Sequence, residues 1–305
     1  MYRNVNLLGL AIALCIGFLS MSSAKAVDLL YVSLNNGTIV TYDVSQPTDT
    51  AVSGSLALFT SNVNGPQGLA FDSTGNLFVA NNGNSTISKF GPGASLLGTI
   101  SSNLSSPNAL AIDSTGNIYA GNNLGGTISK FNSSGAFQSS ITSAGSGLAT
   151  DTAGNLYASN YFGNSITKFD TSGSAVLTIN SSLNGPIGLA VSPAAKLYAV
   201  NQSGSTISVF GLTGGLDSTI TGNTLAPNAI AFDSTGNFYV TNGVGSTISK
   251  FNSAGVFQFG WATTAAPLFV AVKPTVVPEP STWVLGTLAV STLMFVRSRR
   301  KRNIV

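Results

Sequence analysis

The stretch "FDSTGNLFVANNGNSTISKF" (Phe71–Phe90) recurs almost unchanged as "FDSTGNFYVTNGVGSTISKF" (Phe232–Phe251), and related copies lie between them. The repeat length is about 41 residues, and five full copies begin at Gly65, Ser106, Gly145, Gly185 and Ala226. A period of roughly 20 to 50 residues indicates an array in which each unit covers the apolar face of its neighbour.

Each copy contains four short segments that predict strands. In the first copy they are "GLAFD" (68–72), "NLFVAN" (76–81), "STISKF" (85–90) and "SLLGTI" (95–100). Gly, Asn, Ser and Pro separate these segments, as expected for turns. Four antiparallel strands per repeat of about 40 residues form the blade of a β-propeller. A β-solenoid is the alternative, but its coils usually have shorter repeats with fewer strands.

The flanks of the five copies supply one further blade. Before the first copy, "LLYVSLNNGTIVTYDV" (29–44) and "SLALFT" (55–60) match a second, third and fourth strand. After the fifth copy, "APLFVAVKP" (266–274) aligns with a first strand. The sequence therefore predicts an all-β, six-bladed propeller over residues 27–274, closed by N- and C-terminal strands in one blade. Closure would hide the sheet edges of the open array.

Three residue types recur in the copies with predicted structural roles. An Asp opens a turn, where it accepts backbone N–H groups ahead of a Gly that tolerates positive φ. A single carboxylate per turn makes a poor calcium site, so these are expected to be turn residues: Asp72, Asp113, Asp151 and Asp233. We expect aromatic residues to fill the space between blades: Phe90, Phe131, Phe169, Phe210 and Phe251. Lysine stems are expected to lie along apolar neighbours: Lys89, Lys130, Lys168 and Lys250.

The first 26 residues have the pattern of a signal peptide. Arg3 precedes an apolar run over 7–19, and Ala24-Lys25-Ala26 fits the small-x-small cleavage rule. A permanent N-terminal anchor is the alternative, although the run is short for a hydrocarbon core of about 30 Å. Cys15, the one cysteine of the chain, lies in this run, so the mature chain is expected to have no thiol or disulfide.

Residues 275–305 form a distinct tail. Pro278, Glu279 and Pro280 precede an apolar segment over 283–296 and a basic end over 297–302. Fourteen helical residues rise about 21 Å, which is thin for a transmembrane helix. The basic end is expected to stay cytoplasmic, which places the body on the other side of the membrane.

This tail resembles the PEP-CTERM sorting signal of Gram-negative bacteria. The matching features are the Pro278–Glu279–Pro280 motif, the apolar segment and the basic end, in that order. The resemblance implies an exosortase-type processing enzyme as a partner and a location in the cell envelope or the biofilm matrix. An ordinary C-terminal anchor, with the Pro-rich motif as a stiff linker, is the alternative.

The repeats resemble NHL repeats, and "GPQGLAFDSTGNLFVANNGNSTISKF" (65–90) carries the resemblance most fully. It extends over residues 65–252 and more weakly into the flanks. The family usually has Asp after the second strand and Arg in the turn that follows. In this sequence the turn lacks the Arg. The positions of the family's Asp hold an asparagine instead, which removes one salt bridge per blade: Asn81, Asn122, Asn160, Asn201 and Asn242.

Composition argues against several functions. Residues 27–296 contain six Lys, nine Asp and Glu279, a net charge of 6 − 10 = −4, and so offer no basic face to nucleic acid. The chain has no His, which removes imidazole bases and His-ligated metals. NHL-like lyases depend on His, and lactonase-type propellers use a metal site that includes Glu. We therefore expect no enzyme activity, metal or cofactor. The alternative is a lyase or lactonase. A pair of Asp residues in the central channel of the propeller would favour that alternative.

The remaining function classes are a binding module and a passive structural component of the envelope or matrix. Loops before the first strand and between the second and third strands should meet at one end of the ring, where Asn, Gly and Ser could bind an exopolysaccharide or a surface protein. The Tyr161-Phe162 pair interrupts this polar pattern in one loop and is the strongest candidate contact. The candidate binding residues are Asn81, Asn82, Asn122, Asn123, Asn160, Tyr161, Phe162, Asn201 and Asn242. The alternative is that the polar loop residues only form turns.

Overall fold

The computed structural model describes residues 29–44 and 62–273, and every regular element in these ranges is a β-strand. The described part of the chain contains no helix long and apolar enough to cross a membrane. The predicted signal peptide (1–26), the strand predicted over 55–60 and the tail with its Pro278–Glu279–Pro280 motif lie outside these residues.

The strands form five four-stranded antiparallel sheets and a sixth sheet with three described strands. Blade 1 contains β3 (Pro66–Phe71), β4 (Leu77–Asn81), β5 (Thr86–Phe90) and β6 (Leu96–Ile100). Blade 2 contains β7 (Pro107–Ile112), β8 (Ile118–Asn122), β9 (Thr127–Phe131) and β10 (Phe137–Thr142). Blade 3 contains β11 (Leu148–Thr150), β12 (Leu156–Asn160), β13 (Ser165–Phe169) and β14 (Ala175–Ile179). Blade 4 contains β15 (Pro186–Val191), β16 (Lys196–Asn201), β17 (Thr206–Gly211) and β18 (Leu216–Thr221). Blade 5 contains β19 (Pro227–Phe232), β20 (Phe238–Asn242), β21 (Thr247–Phe251) and β22 (Phe257–Ala262). Blade 6 contains β23 (Pro267–Val272), β1 (Leu29–Leu34) and β2 (Ile39–Asp43).

Blade 6 joins the two ends of the repeat array, as the sequence predicts. β23 pairs antiparallel with β1, with Tyr31 opposite Ala271 and Val32 opposite Val270. β23 also packs beside β19 of blade 5 and β3 of blade 1, so the first strands of the six blades form a closed ring. The all-β, six-bladed propeller prediction is confirmed.

The core is divided among the six contacts between neighbouring blades. Six buried clusters occur in the described residues, and each combines side chains from two adjacent blades. The predicted aromatic residues all belong to these clusters: Phe90, Phe131, Phe169, Phe210 and Phe251. A side chain such as Phe131, with no exposed surface, contributes about 1.5–3 kcal/mol to stability. A single blade leaves these surfaces exposed, which is why the sequence must repeat.

Burial falls from the centre of each blade to its rim. The second strands β4 and β8 are buried at every position, whereas the fourth strands β6 and β10 are mostly exposed. The fully buried second strands explain apolar runs such as "LFVA", which lack the alternation of a half-exposed strand.

The first strands approach each other closely at their third position. Gly68, Ala109, Gly188 and Ala229 occupy this position in blades 1, 2, 4 and 5, and Gly147 is the corresponding residue directly before the short β11 of blade 3. A Cβ added to Gly68 would lie 2.8 Å from the backbone N of Leu110, so no larger residue fits there. Blade 6 instead has Phe269, which packs against the clusters of its own two interfaces and also against the cluster between blades 2 and 3. One aromatic side chain therefore crosses the centre of the ring.

Candidate binding face

The loops of the propeller lie at two opposite ends. We call the end that carries the loops before each first strand and between each second and third strand the top face. These two loop types are hydrogen-bonded to one another within a blade, for example from Asn82 N to Gly65 O at 3.1 Å and from Asn123 N to Ser106 O at 3.2 Å. The predicted clustering of the Asn- and Gly-rich loops at one end is therefore observed.

Four of the predicted contact residues are buried in the loops of the top face. In blade 2, Asn122 Oδ1 accepts a hydrogen bond from Ser105 N at 3.0 Å. Its Nδ2 donates to Thr127 Oγ1 and Ser129 Oγ at 3.2 and 2.9 Å. The same arrangement occurs at Asn81, Asn201 and Asn242. These four amides join the two loop types and present almost no surface to a ligand, so the structure gives them a structural role, and the binding role expected from the sequence stays a prediction.

The remaining predicted asparagines lie nearer the surface. Asn82 is partly buried and donates from Nδ2 to Ser106 O, whereas Asn123 is exposed. Asn160 occupies the position of the buried asparagines, but its Oδ1 accepts from Gly163 N at 2.9 Å within its own loop. Blade 3 differs because its first strand is the short β11 and the loop before it is shorter.

The Tyr161-Phe162 pair is at the surface of the top face. Phe162 is 94% exposed, the largest value among the exposed large hydrophobic residues of the described chain. The two rings meet edge to face with centroids 5.1 Å apart. Tyr161 reaches blade 4, where its hydroxyl lies 3.0 Å from Ser203 Oγ. The Tyr161 anchor therefore holds the Phe162 ring in solvent above the junction of blades 3 and 4.

Tyr161 also lines a depression of about 550 Å³ that we call the top-face depression. Its lining includes Gln202, Asn228, Val244 and Leu268 and contains no charged residue. Gln202 Nε2 donates to Asn228 Oδ1 at 2.6 Å, and Asn228 Nδ2 donates to Pro267 O at 2.8 Å. Hydrogen bonds thus connect blades 4, 5 and 6 beneath the depression.

Three more apolar side chains are exposed in the loops of the top face. They are Leu124 in blade 2, with 77% exposure, and Leu225 and Val244 in blade 5, with 53% and 57%. Sequence reasoning missed this set because the Asn- and Gly-rich composition of the loops drew attention to polar contacts. The available signal for these exposed side chains was the single apolar residue in the loop sequences "NNLGG" (122–126) and "NGVGS" (242–246), namely Leu124 and Val244.

The central channel is narrow and apolar in its side chains. A cavity of about 90 Å³ lies on the axis and is lined by residues from the first-strand segments of all six blades. The side chains that line it are Leu69, Leu110, Leu148, Leu189, Ala229, Ile230, Phe269 and Val270. None of them is titratable, so the paired channel Asp residues considered for an enzyme are not found in this lining. Within residues 29–44 and 62–273, no group of three acidic, His or Cys side chains is placed to hold a metal.

The opposite face carries the Asp turns, whose predicted role is confirmed. Asp113 Oδ1 accepts from the backbone N of Thr115 and Asn117 at 3.0 and 2.9 Å, and Oδ2 accepts from Asn117 Nδ2 at 2.8 Å. Burial acts to raise the pKa of Asp113, but the hydrogen bonds from Asn117 and Thr115 outweigh it, so its pKa lies below the ordinary value. Burial and the nearby Asp113 charge raise the pKa of Tyr119, which donates to Asp113 Oδ2 at 3.3 Å.

The recurring lysines also act within the fold. Lys168 Nζ lies 5.1 Å from the centre of the Tyr157 ring and 3.5 Å from Asp151 Oδ2. It also donates to Leu212 O in the next blade at 3.3 Å. Lys89, Lys130 and Lys250 lie over the rings of Phe78, Tyr119 and Tyr239 in the same way. Each lysine thus covers an aromatic residue of the second strand, consistent with the predicted structural role.

The repeat that opens blade 1 can be compared with known families now that its geometry is established. Residues 63–90 match the family model of the NHL repeat. No curated protein matches the sequence significantly. The NHL match and the six-bladed architecture together support an NHL propeller.

Solved structures share this six-bladed fold at low identity. A chain from a nidogen/laminin complex is 17% identical with a TM-score of 0.69, covering 81% of this chain and 98% of that one. Virginiamycin B lyase from Staphylococcus aureus is 14% identical with a TM-score of 0.60, covering 81% and 89%. A catalytically inactive histidine-to-alanine variant of that lyase, solved with quinupristin, is 14% identical with a TM-score of 0.58, covering 82% and 94%. At these identities the similarity shows the fold alone. The same fold occurs in a chain from a nidogen/laminin complex and in a lyase.

Proposed function

We propose that this chain is an exported, non-catalytic propeller that binds a protein partner through its top face. The observation that carries the proposal is the exposed Phe162 ring, which is held by Tyr161 at the rim of an uncharged depression. Aromatic residues beside a concave, uncharged surface are typical of the centres of protein interfaces. A side chain that is 94% exposed buries too little surface to add much folding stability, so recognition is the simplest reason for the ring.

The other exposed residues of the top face favour a protein over a glycan at this site. Leu124 and Val244 are aliphatic, and aliphatic side chains contribute to binding mainly by burying apolar surface. A sugar hydroxyl placed against them would lose hydrogen bonds to water without replacement. An uncharged, partly apolar segment of another protein matches both these loops and the Gln202 and Asn228 amides that line the top-face depression together with Val244.

The lyase alternative is supported only by the shared fold. The inactive lyase variant lacks a histidine, and this chain contains none. The central cavity is lined by aliphatic side chains and Phe269 instead of titratable groups. No arrangement of acid and base in the described residues favours catalysis over binding.

We further propose that the body is exported by the segment 1–26 and tethered or processed through the tail. The Pro278–Glu279–Pro280 motif and the basic end over 297–302 support an exosortase-type enzyme as the processing partner. The body would then reside in the cell envelope or outside the cell. Localisation of the chain with and without its last 28 residues tests this point. Release of the truncated chain into the medium is expected, and identical distribution of both chains would contradict the proposal.

Photo-crosslinking in producing cells tests the binding proposal. A photoreactive phenylalanine analogue replaces Phe162 in the full chain, and a matched chain carries it at Phe137, an exposed position on β10 at the rim of blade 2. We expect a discrete, protease-sensitive product from position 162 only. A product that resists protease but is cleaved by periodate would assign the face to a glycan instead. Equal products from both positions, or none from 162, would contradict the proposal.

The crosslinked partner, once identified, permits a quantitative test. Val244→Ser is compared with Val176→Ser on β14, because the two valines have nearly equal exposures of 57% and 55%. We expect Val244→Ser to weaken binding about tenfold or more, the loss of about 1.4 kcal/mol or more that truncation of an interface contact produces. Val176→Ser should leave the affinity unchanged.

A further inference from the structure

The fourth strand of blade 5 departs from the pattern of the other blades. Its sequence is "FQFGWA", with Gly260 opposite Ser249 of β21. In the other four-stranded blades a hydroxyl residue occupies the position of Gly260: Thr99, Ser140, Thr178 and Thr219. Trp261 likewise replaces an isoleucine found in each of those blades. A repeat protein that keeps one blade different at adjacent positions has a local reason for the difference.

A cleft on the surface of blade 5 includes Gly260, where β22 has no side chain. The cleft has a volume of about 470 Å³ and lies between β22 and the loop that leads into β19. Phe257 and Leu225 contribute apolar surface, and Thr247, Ser249 and Asn223 contribute hydroxyl and amide groups. This volume is within the range of small-molecule binding sites.

The hydrogen bonds around the cleft leave polar groups directed to a ligand. Asn242 Nδ2 donates to Thr247 Oγ1 at 3.2 Å and to Ser249 Oγ at 3.0 Å. Ser249 Oγ donates its hydroxyl proton to Asn223 O at 2.6 Å. Thr247 Oγ1 accepts a hydrogen bond from Asn242, so its own hydroxyl proton can still be donated to a ligand. The side chain of Asn223 is exposed at the rim and brings both a donor and an acceptor.

We infer that this cleft binds a ring of a neutral carbohydrate. A pyranose ring presents C–H groups on its face and hydroxyls on its edge, which match the partly exposed Phe257 ring and the Thr247 and Asn223 groups. No charged residue lines the cleft, so nothing in it would compensate the carboxylate of an acidic sugar. The site is separate from Phe162 and does not depend on the proposed protein partner.

A peptide is the competing occupant of the cleft. A peptide would most readily add to the unpaired edge of β22 through backbone hydrogen bonds. The cleft extends from β22 over Ser249 to Thr247 and Asn223, so a ligand there contacts side chains away from the edge of the strand. This geometry favours the sugar and makes the peptide an outcome of the test.

The test is a titration of the full chain with neutral hexasaccharides of glucose and N-acetylglucosamine. Calorimetry detects binding and provides the affinity. We expect saturable binding of at least one neutral hexasaccharide and none of an alginate hexamer. Gly260→Thr, which restores the residue type of the other blades, should weaken binding at least tenfold. Its added Cβ would lie 3.0 Å from the backbone O of Ile248, so circular dichroism must show that the variant is folded. Phe257→Leu should weaken it similarly, because it keeps apolar volume but removes the ring.

Thr99→Ser at the equivalent position of blade 1 is the matched control and should bind like the natural chain. The inference is overturned by the absence of binding to every neutral hexasaccharide, by unchanged affinity in Gly260→Thr, by binding of alginate alone, or by displacement with unrelated peptides. Crosslinking from position 162 is repeated in the Gly260→Thr chain. Retained crosslinking with lost sugar binding separates this site from the proposed protein interface.

Discussion

Lys273 donates its backbone N–H to the carbonyl oxygen of Leu29 at 2.8 Å, where the two ends of the described body meet. At the other end of the same strand pair, Asn35 N donates to Ala266 O at 3.0 Å. The contact between β1 and β23 is therefore hydrogen-bonded at both ends, with a register shift between Val32 and Leu34. The ring is closed by a non-covalent strand pair, so its stability depends on side chains contributed by both ends of the chain.

Deletion of residues 266–274 should destabilise the whole propeller. It removes the partner of β1, the buried Val270 and the central Phe269, and it exposes the first strands of blades 1 and 5. Loss of one large core side chain alone costs about 2–5 kcal/mol, so the deletion should lower the melting temperature strongly or prevent folding. Thermal unfolding followed by circular dichroism measures this effect, and Phe269→Ala should show a smaller loss. An unchanged melting temperature in the deletion would contradict closure by β23.

Gly188→Ala should destabilise the chain although it adds a single methyl group. The added Cβ would lie 2.6 Å from Ala229 Cα on the neighbouring first strand, and both groups belong to the backbone of the closed ring. Overpacking of this kind costs about 1–3 kcal/mol. Urea unfolding gives the difference, and Gly98→Ala on β6 is the control because no atom lies within 4 Å of its added Cβ. Equal stabilities of the two variants would contradict the close approach of the first strands.

Asn122→Ala should cost about 1–3 kcal/mol, because it leaves Ser105 N without its buried acceptor. Asn122 is only 4% exposed, whereas its neighbour Asn123 is exposed. Asn123→Ala is therefore the matched control and should change the free energy of unfolding by less than about 0.5 kcal/mol. The same comparison in the crosslinking assay separates structure from binding. A folded Asn122→Ala chain that keeps its stability but loses crosslinking would restore a ligand role for this asparagine.

Stability should fall in acid because of the Asp turns. The pKa values of Asp72, Asp113 and Asp151 lie below their ordinary values, since hydrogen bonds to the carboxylates outweigh the opposing effect of burial. Their contribution is complete above the pKa of the unfolded chain, about 4, and is lost as the pH falls through the lower folded values. Melting temperatures between pH 6 and pH 2 measure this loss. The triple Asp→Asn variant should be less stable at pH 7 and should lose less stability on acidification. Parallel curves for both chains would contradict the assignment.

The repeat and the strand pattern were predictable because they depend on local sequence. The second strand of blade 1, predicted over 76–81, is observed at Leu77–Asn81, and the first strand, predicted over 68–72, is observed at Pro66–Phe71. The closing strand was also found by alignment, because every blade needs the same first strand. These features require only turn chemistry and the burial of both faces of each blade.

The structural role of the buried asparagines was overlooked because composition was considered without spacing. Each one is followed by a Thr five residues later and a Ser seven residues later, as in Asn122, Thr127 and Ser129. That spacing places Thr127 opposite Asn122 and Ser129 two residues further along the third strand, so both hydroxyls reach the amide, and it was the available signal. Phe269 was overlooked for a similar reason, since its role appears only when it is compared with the Gly and Ala residues at the same position of the other blades.

The Gly260 cleft and the depression beside Tyr161 could not be derived from one copy of the repeat. Both arise where a blade differs from its neighbours and where loops from several blades meet. Pairwise register between β21 and β22 identifies Gly260 as an exception, and the ring geometry brings Tyr161 of blade 3 and Val244 of blade 5 to one depression. Tertiary placement, and not local propensity, produces these candidate sites.

A distance measurement across the closing blade tests the central claim most directly. Spin labels at Asn36→Cys and Thr264→Cys, both exposed on the loops of blade 6, are compared with labels at Asn36→Cys and Phe162→Cys on opposite sides of the ring, with Cys15→Ser in both chains. Pulsed dipolar spectroscopy should give a short, narrow distance for the first pair and a clearly longer one for the second. A long or broad distance between positions 36 and 264 in the folded chain would contradict a ring closed by its two ends.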